Sequence, residues 1–147
     1  MGGESVSAAA ASIIDMAAVT ATARPRVLVV DDDDSMRHLL KLHLANHGFD
    51  VSLAEDAVVA GHAVLRDPPD LILLDVQMPY MNGYEFAAAL KADELTRNIP
   101  VVFLTTDDAV AEHARKIGTE AYLNKPVTVD RLLEVLRLFV PSVAALR

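Results

Sequence analysis

The chain has 147 residues, 52% of them hydrophobic and 23% charged, with a formal net charge of −8 and no cysteine. That composition reads as one globular domain able to bury a core unaided, and the missing cysteine excludes disulfides, thiolate catalysis and zinc–thiolate sites. The acidic balance argues against sequence-independent nucleic-acid binding and against an anionic membrane surface, and no apolar run approaches the roughly 20 residues that span a bilayer.

Residues 1–24 are rich in Ala, Ser and Gly and read as a flexible tail ending at Pro25, with 25–147 as the folded domain. The early charges, Glu4 and Asp15, do not make the basic region of a secretory signal. Val6 stands where a myristoylation motif wants Ser or Thr, and Met16 offers an alternative start. From there the chain alternates. RVLVV (26–30) is a β-branched apolar run of the kind that forms a strand covered on both faces. DSMRHLLKLHLANHG (34–48) carries Met36, Leu39, Leu40, His43 and Leu44 at helical spacing, with Gly48 to close it. DVSLA (50–54) is a second strand, and 56–67 a helix stopped by Pro68 and Pro69. LILLD (71–75) is a third, strongly apolar strand and 83–93 a helix; PVVFLTT (100–106) is a strand and 107–118 a helix ending at Gly118. AYLNK (121–125) and a helix over 127–140 complete the series.

Five strands, each followed by a helix, predict an α/β fold: a five-stranded parallel sheet, doubly wound, with helices on both faces. Such sheets place their working groups at the carboxyl ends of the strands. Those ends carry Asp31 and Asp32, Asp75, Thr105 and Lys125. Three carboxylates around one small volume repel one another, and a hard divalent cation with oxygen ligands relieves that. Mg²⁺ together with the ammonium of Lys125 brings the formal charge to zero. A phosphoryl group is then met by a metal, an ammonium and a hydroxyl, and an aspartate can serve as its nucleophile. Asp75 is the best placed, alone at the end of its strand.

VLVVDDDDSMR, DLILLDVQMPYMNGYEF, VVFLTT and GTEAYLNKPV resemble, in order and spacing, the signature segments of response-regulator receiver domains. The resemblance runs from residue 26 to about 140 and implies a CheY-like, flavodoxin-like (βα)5 receiver of two-component or phosphorelay signalling. It implies that Asp75 accepts a phosphoryl group from a phosphohistidine on a histidine kinase or histidine phosphotransfer protein. Asp32 then binds Mg²⁺ directly, Asp31 acts mostly through a water, and the Gln77 backbone carbonyl is a further ligand beside Asp75. Lys125 contacts the phosphoryl group, the peptide before Pro126 matches a cis position, and Thr105 and Tyr122 form the switch. Output passes through the face of the fourth helix, fifth strand and fifth helix to a downstream target protein, the chain being a monomer or weak dimer through that face. A stand-alone cytoplasmic phosphoacceptor, not an enzyme and binding neither nucleic acid nor membrane, is the expectation. Asn82, Thr106 and Val127 depart from the usual residues, and Gln77 and Asp107 hold positions that bias phosphoryl lifetime.

Plainer readings stand beside these. Asp33 is expected to cap the first helix, with Asp34 in its first turn, rather than to bind metal. His43 and His47, four apart, are expected to be packing and surface residues. In the last helix Leu132, Leu133, Leu136, Phe139 and Val140 are assigned to the inner face, with Val135 and Leu138 elsewhere as a potential partner surface. The rival function is a haloacid-dehalogenase-type Mg²⁺-dependent phosphatase, with Asp31 as nucleophile, Asp33 as acid and Asp107–Asp108 as the later acidic pair. A third is a receiver that only docks.

Overall fold

The structure, a computed structural model, describes residues 24–140. The tail assigned to 1–24, with Gly2 and Met16, lies outside the described residues but for Arg24. Five strands, β1 (Arg26–Val30), β2 (Asp50–Ala54), β3 (Leu71–Leu74), β4 (Val101–Thr105) and β5 (Ala121–Asn124), alternate with five helices. These are α1 (Asp34–Asn46), α2 (Ala57–Arg66), α3 (Gly83–Ala92), α4 (Val110–Ile117) and α5 (Val129–Phe139). All strand pairs are parallel, and the sheet order is β2-β1-β3-β4-β5.

Side chains alternate across the sheet, yet both faces are apolar, which explains the unbroken hydrophobic strands. Val27, Val29, Leu71 and Leu73 face α1 and α5, where Leu40, Leu44, Leu132 and Leu136 pack. Leu28, Val30, Ile72 and Leu74 face α2, α3 and α4, meeting Val64, Phe86 and Ala114. Leu44 is wholly buried, a burial that contributes on the order of 2 kcal/mol.

The helix starts follow their capping residues. Asp33 accepts from Met36 N–H, Asp56 from Val59 N–H and Thr128 from Arg131 N–H. Asn82 and Glu85 form a reciprocal capping box on α3. Gly48 and Gly118 take left-handed φ values of 95° and 86°, where side chains are disfavoured, and close α1 and α4.

Several expectations shift. Asp75 and Lys125 stand just beyond their strands rather than in them, since the ladder ends where the rim begins. The fourth helix starts at Val110, because residues 107–109 form a turn stitched by the Asp107 side chain. Leu39 is 50% exposed, the inner stripe of α1 being carried by Leu40 and Leu44. Val135 is buried beside Leu132 and Leu136, so of the two residues set apart in α5 only Leu138 is exposed.

Candidate functional site

Register brings the acids together. β1 and β3 are neighbours with Val30 opposite Leu74, so the residues that follow, Asp31 and Asp75, emerge side by side where the strand order reverses. The backbone continues the pairing: Asp75 N–H donates to Val30 O at 2.9 Å and Asp31 N–H to Ala54 O at 3.1 Å. One ligand oxygen from each of Asp31, Asp32 and Asp75 lies within 4.8 Å of the others. Asp31 and Asp75 are buried and Asp32 is exposed.

The two buried acids have different duties. Asp31 is fully engaged: Oδ1 accepts from Asp33 N–H at 2.9 Å and Oδ2 from Lys125 Nζ at 2.8 Å. Asp75 is half engaged. Its Oδ1 accepts from Val76 N–H at 2.8 Å, while Oδ2 has Lys125 Nζ at 3.6 Å, outside hydrogen-bond reach. Burial pushes the Asp75 pKa up, the charge of Asp31 adds to this, and Lys125 and Val76 N–H only partly oppose it. For Lys125, burial disfavours the charged ammonium, but the hydrogen bond and charge of Asp31 prevail and raise its pKa.

These residues fit a divalent cation. Three carboxylates face one ammonium, the buried Asp75 carries an unmet electrostatic penalty, and the donors are the hard oxygens that Mg²⁺ takes. Gln77 lies two residues past Asp75 and is exposed. Thr105 ends β4 and is fully buried; its hydroxyl oxygen accepts from Asp107 N–H at 3.2 Å. Tyr122 sits on β5, 42% exposed. The Lys125–Pro126 peptide is cis.

The rival acidic sets are not assembled. Among the described residues the carboxylate cluster contains neither Asp33, Asp107 nor Asp108. Asp33 caps α1, and Asp107 accepts from Tyr84. His47 Nδ1 lies 2.7 Å from His43 O, a local helix contact rather than half of a metal grip.

Two further residues hold the site in place from outside the carboxylate cluster. Arg37 donates from Nη1 to Asp31 O at 2.6 Å and so braces the acidic loop from behind. Its signal was present: an arginine four residues after an N-cap points back over the helix start. Gly83 is the other. A Cβ built there would lie 2.2 Å from Asp75 O, and its N–H donates to Val76 O at 2.8 Å, so α3 begins in direct contact with the Asp75 backbone.

The model of the response regulator receiver domain family matches residues 27–137. The chain belongs to that family. Receiver domains are parts of two-component systems, and an acidic, Mg²⁺-binding phosphorylation pocket is typical of them. Response regulator MprA of Mycobacterium leprae (strain TN) is 38% identical over 114 residues, covering 76% of this chain and 49% of that protein. The chain thus spans about half the length of the curated relatives it matches. Among solved structures, Vibrio cholerae chemotaxis protein CheY4 superposes with a TM-score of 0.74 at 30% identity, covering 80% of this chain and 99% of that one. The receiver domain of sensor histidine kinase PA1611 from Pseudomonas aeruginosa PAO1 gives a TM-score of 0.74 at 26% identity, over 81% of this chain and 99% of that one. That structure has a magnesium ion coordinated in its active-site cleft. No helix among the described residues is long and apolar enough to cross a membrane.

Proposed function

We propose that this receiver accepts a phosphoryl group on Asp75 from a phosphohistidine of a histidine kinase or histidine phosphotransfer protein. The observation that carries the reading is the asymmetry of the two buried acids: Asp31 has both oxygens bonded, whereas Asp75 Oδ2 has no hydrogen bond and faces an ammonium. Asp75 Oδ2 attacks phosphorus. The O–P bond forms as the P–N bond breaks, and its electron pair leaves on the donor nitrogen, releasing neutral imidazole from an imidazolium donor. Val76 N–H orients the carboxylate during attack, and Lys125 attracts the phosphoryl oxygens.

Asp31, Asp32, Asp75 and the backbone carbonyl of Gln77 would hold Mg²⁺. Bound there, the ion would neutralise the carboxylates and the incoming phosphoryl oxygens. Thr105 turns its hydroxyl to the phosphoryl group and Tyr122 follows, altering the α4-β5-α5 face that meets a downstream protein. Residues 25–147 form the receiver unit of this reading, cytoplasmic and without turnover of an external substrate. The net charge of −8 on the whole chain favours a protein over a nucleic acid as its partner.

Acetyl phosphate with Mg²⁺ is the test. One phosphoryl mass should be gained, and lost in Asp75→Asn or with EDTA. An undiminished adduct on Asp75→Asn refutes the assignment. Turnover of p-nitrophenyl phosphate that survives Asp75→Ala but not Asp31→Ala points instead to a phosphatase.

A further inference from the structure

Between α3 and α4 lies a set of side chains that the chemistry above does not use. Tyr84, in the first turn of α3, donates its hydroxyl to Asp107 Oδ2 at 2.6 Å. Its ring stacks on His113 of α4, with centroids 4.0 Å apart and planes at 15°, and meets Phe103 of β4 edge-on at 5.1 Å. Burial, and after it the Asp107 hydrogen bond, hold the Tyr84 phenol well above its ordinary pKa, so it stays a donor.

Asp107 is a hub of the β4–α4 turn. Its Oδ1 accepts from Ala109 N–H at 3.0 Å and its carbonyl from Asn124 Nδ2 at 3.3 Å. Its own N–H donates to Thr105 Oγ1 at 3.2 Å. α4 has no side-chain cap at Ala109, so the Asp107 carboxylate, gripped by Tyr84, is what ties down the entry to that helix. A Thr105 hydroxyl that turns towards Asp75 deprives Asp107 N–H of its acceptor. If the turn follows Thr105 to restore that bond, the Asp107 carboxylate is drawn away from the Tyr84 hydroxyl.

We infer that Tyr84 is a positioning residue for the phosphoryl switch: its hydroxyl holds Asp107, and through Asp107 the resting orientation of Thr105. The inference rests on Asp75 as the phosphoacceptor. Tyr84 acts at a distance from the chemistry, by setting how far the resting arrangement is favoured over the one that follows phosphorylation. A ligand that mimics the phosphoryl group must supply that difference before it shows its affinity.

Beryllofluoride titration in saturating Mg²⁺, followed by amide shifts of Thr105 and Asp107, tests this on the whole chain. Tyr84→Phe keeps the stacking and removes the hydroxyl. It should half-saturate at roughly three- to tenfold lower beryllofluoride than wild type, the range expected for losing one hydrogen bond of ordinary net strength at a part-exposed group. Affinity for Mg²⁺ alone should not change, whereas a merely structural weakening would loosen both. Should Tyr84→Phe fold poorly, Asp107→Ala must shift the beryllofluoride midpoint in the same direction. An equal or higher midpoint in the soluble variant overturns the inference. A response in Asp75→Asn equal to that of wild type overturns the phosphoacceptor assignment itself, and the role of Tyr84 with it.

Discussion

A methyl group at position 83 has no room. Built on the Gly83 backbone it would sit 2.2 Å from Asp75 O, 2.8 Å from Val76 Cα and 2.9 Å from Asp75 C, all backbone atoms. Real contacts of this kind do not fall below 3.0 Å, so in Gly83→Ala the start of α3 and the Asp75 carbonyl must part by about 0.8 Å. Overpacking of this sort costs about 1–3 kcal/mol of stability. The larger effect should fall on chemistry, because the residue that is pushed is the proposed phosphoacceptor, and misplacing a reacting group by about 1 Å costs on the order of 100-fold in rate. Single-turnover uptake from acetyl phosphate, read by intact mass, measures the rate, and urea unfolding measures the stability. Gly61→Ala is the matched control: nothing lies within 4 Å of its added carbon, so α2 should gain about 0.5–1 kcal/mol with the rate unchanged. If Gly83→Ala takes up phosphoryl within about twofold of wild type and unfolds at the same urea concentration, the steric argument is refuted.

Three further outcomes follow from other parts of the molecule. The folded-state pKa of Asp75 is raised above its ordinary 3.8, so its favourable contribution is complete below that value and is lost as pH rises through the folded pKa. Asp75→Asn cannot ionise and should therefore unfold at higher urea than wild type near neutral pH without Mg²⁺, with the difference closing near about pH 3. Tyr80 is 85% exposed at φ 72°. Tyr80→Gly removes a left-handed cost of about 1–2 kcal/mol and adds about 0.5–1 kcal/mol of chain entropy, for a net gain of roughly 0–1.5 kcal/mol in urea unfolding. Lys91 Nζ donates to Arg97 O at 3.1 Å, Ile99 O at 3.0 Å and Glu120 at 2.9 Å, at the end of the sheet opposite the site. Lys91→Met should lose about 2–3 kcal/mol in the same assay while phosphoryl uptake per folded molecule stays at the wild-type level.

The legible parts of this chain are those where one constraint acts along a short stretch. A strand covered on both faces has to be apolar throughout, so VLVV and LILL announce themselves, and the first polar residue after each marks the rim. Asp31, Asp75 and Thr105 stand out that way, and the caps Asp33 and Gly118 by residue type, whereas Lys125 follows an edge strand in which Tyr122 and Asn124 are exposed. What stayed hidden depends on contacts across the fold. Nothing local separates Leu39 from Leu40, because both lie within the width of an apolar stripe and only the seating of α1 decides between them. The same holds for Val135, which spacing sets apart from the inner face and which is buried. Tyr84 and Asp107 are 23 positions apart, and neither neighbourhood hints at the hydrogen bond between them. The division of labour between Asp31 and Asp75 is likewise invisible in a run of aspartates, since it arises from which N–H groups and which lysine arrive from elsewhere.

The ion pair between Lys125 and Asp31 joins positions 94 residues apart. During synthesis the acidic residues leave the ribosome long before the lysine does, and β5, which immediately precedes it, is the last strand of the sheet in chain order. A nascent chain therefore has its carboxylates, but not its ammonium, until almost the whole domain has emerged. On the proposed function, competence to take a phosphoryl group would arrive last, and an unfinished copy would not drain signal from its donor.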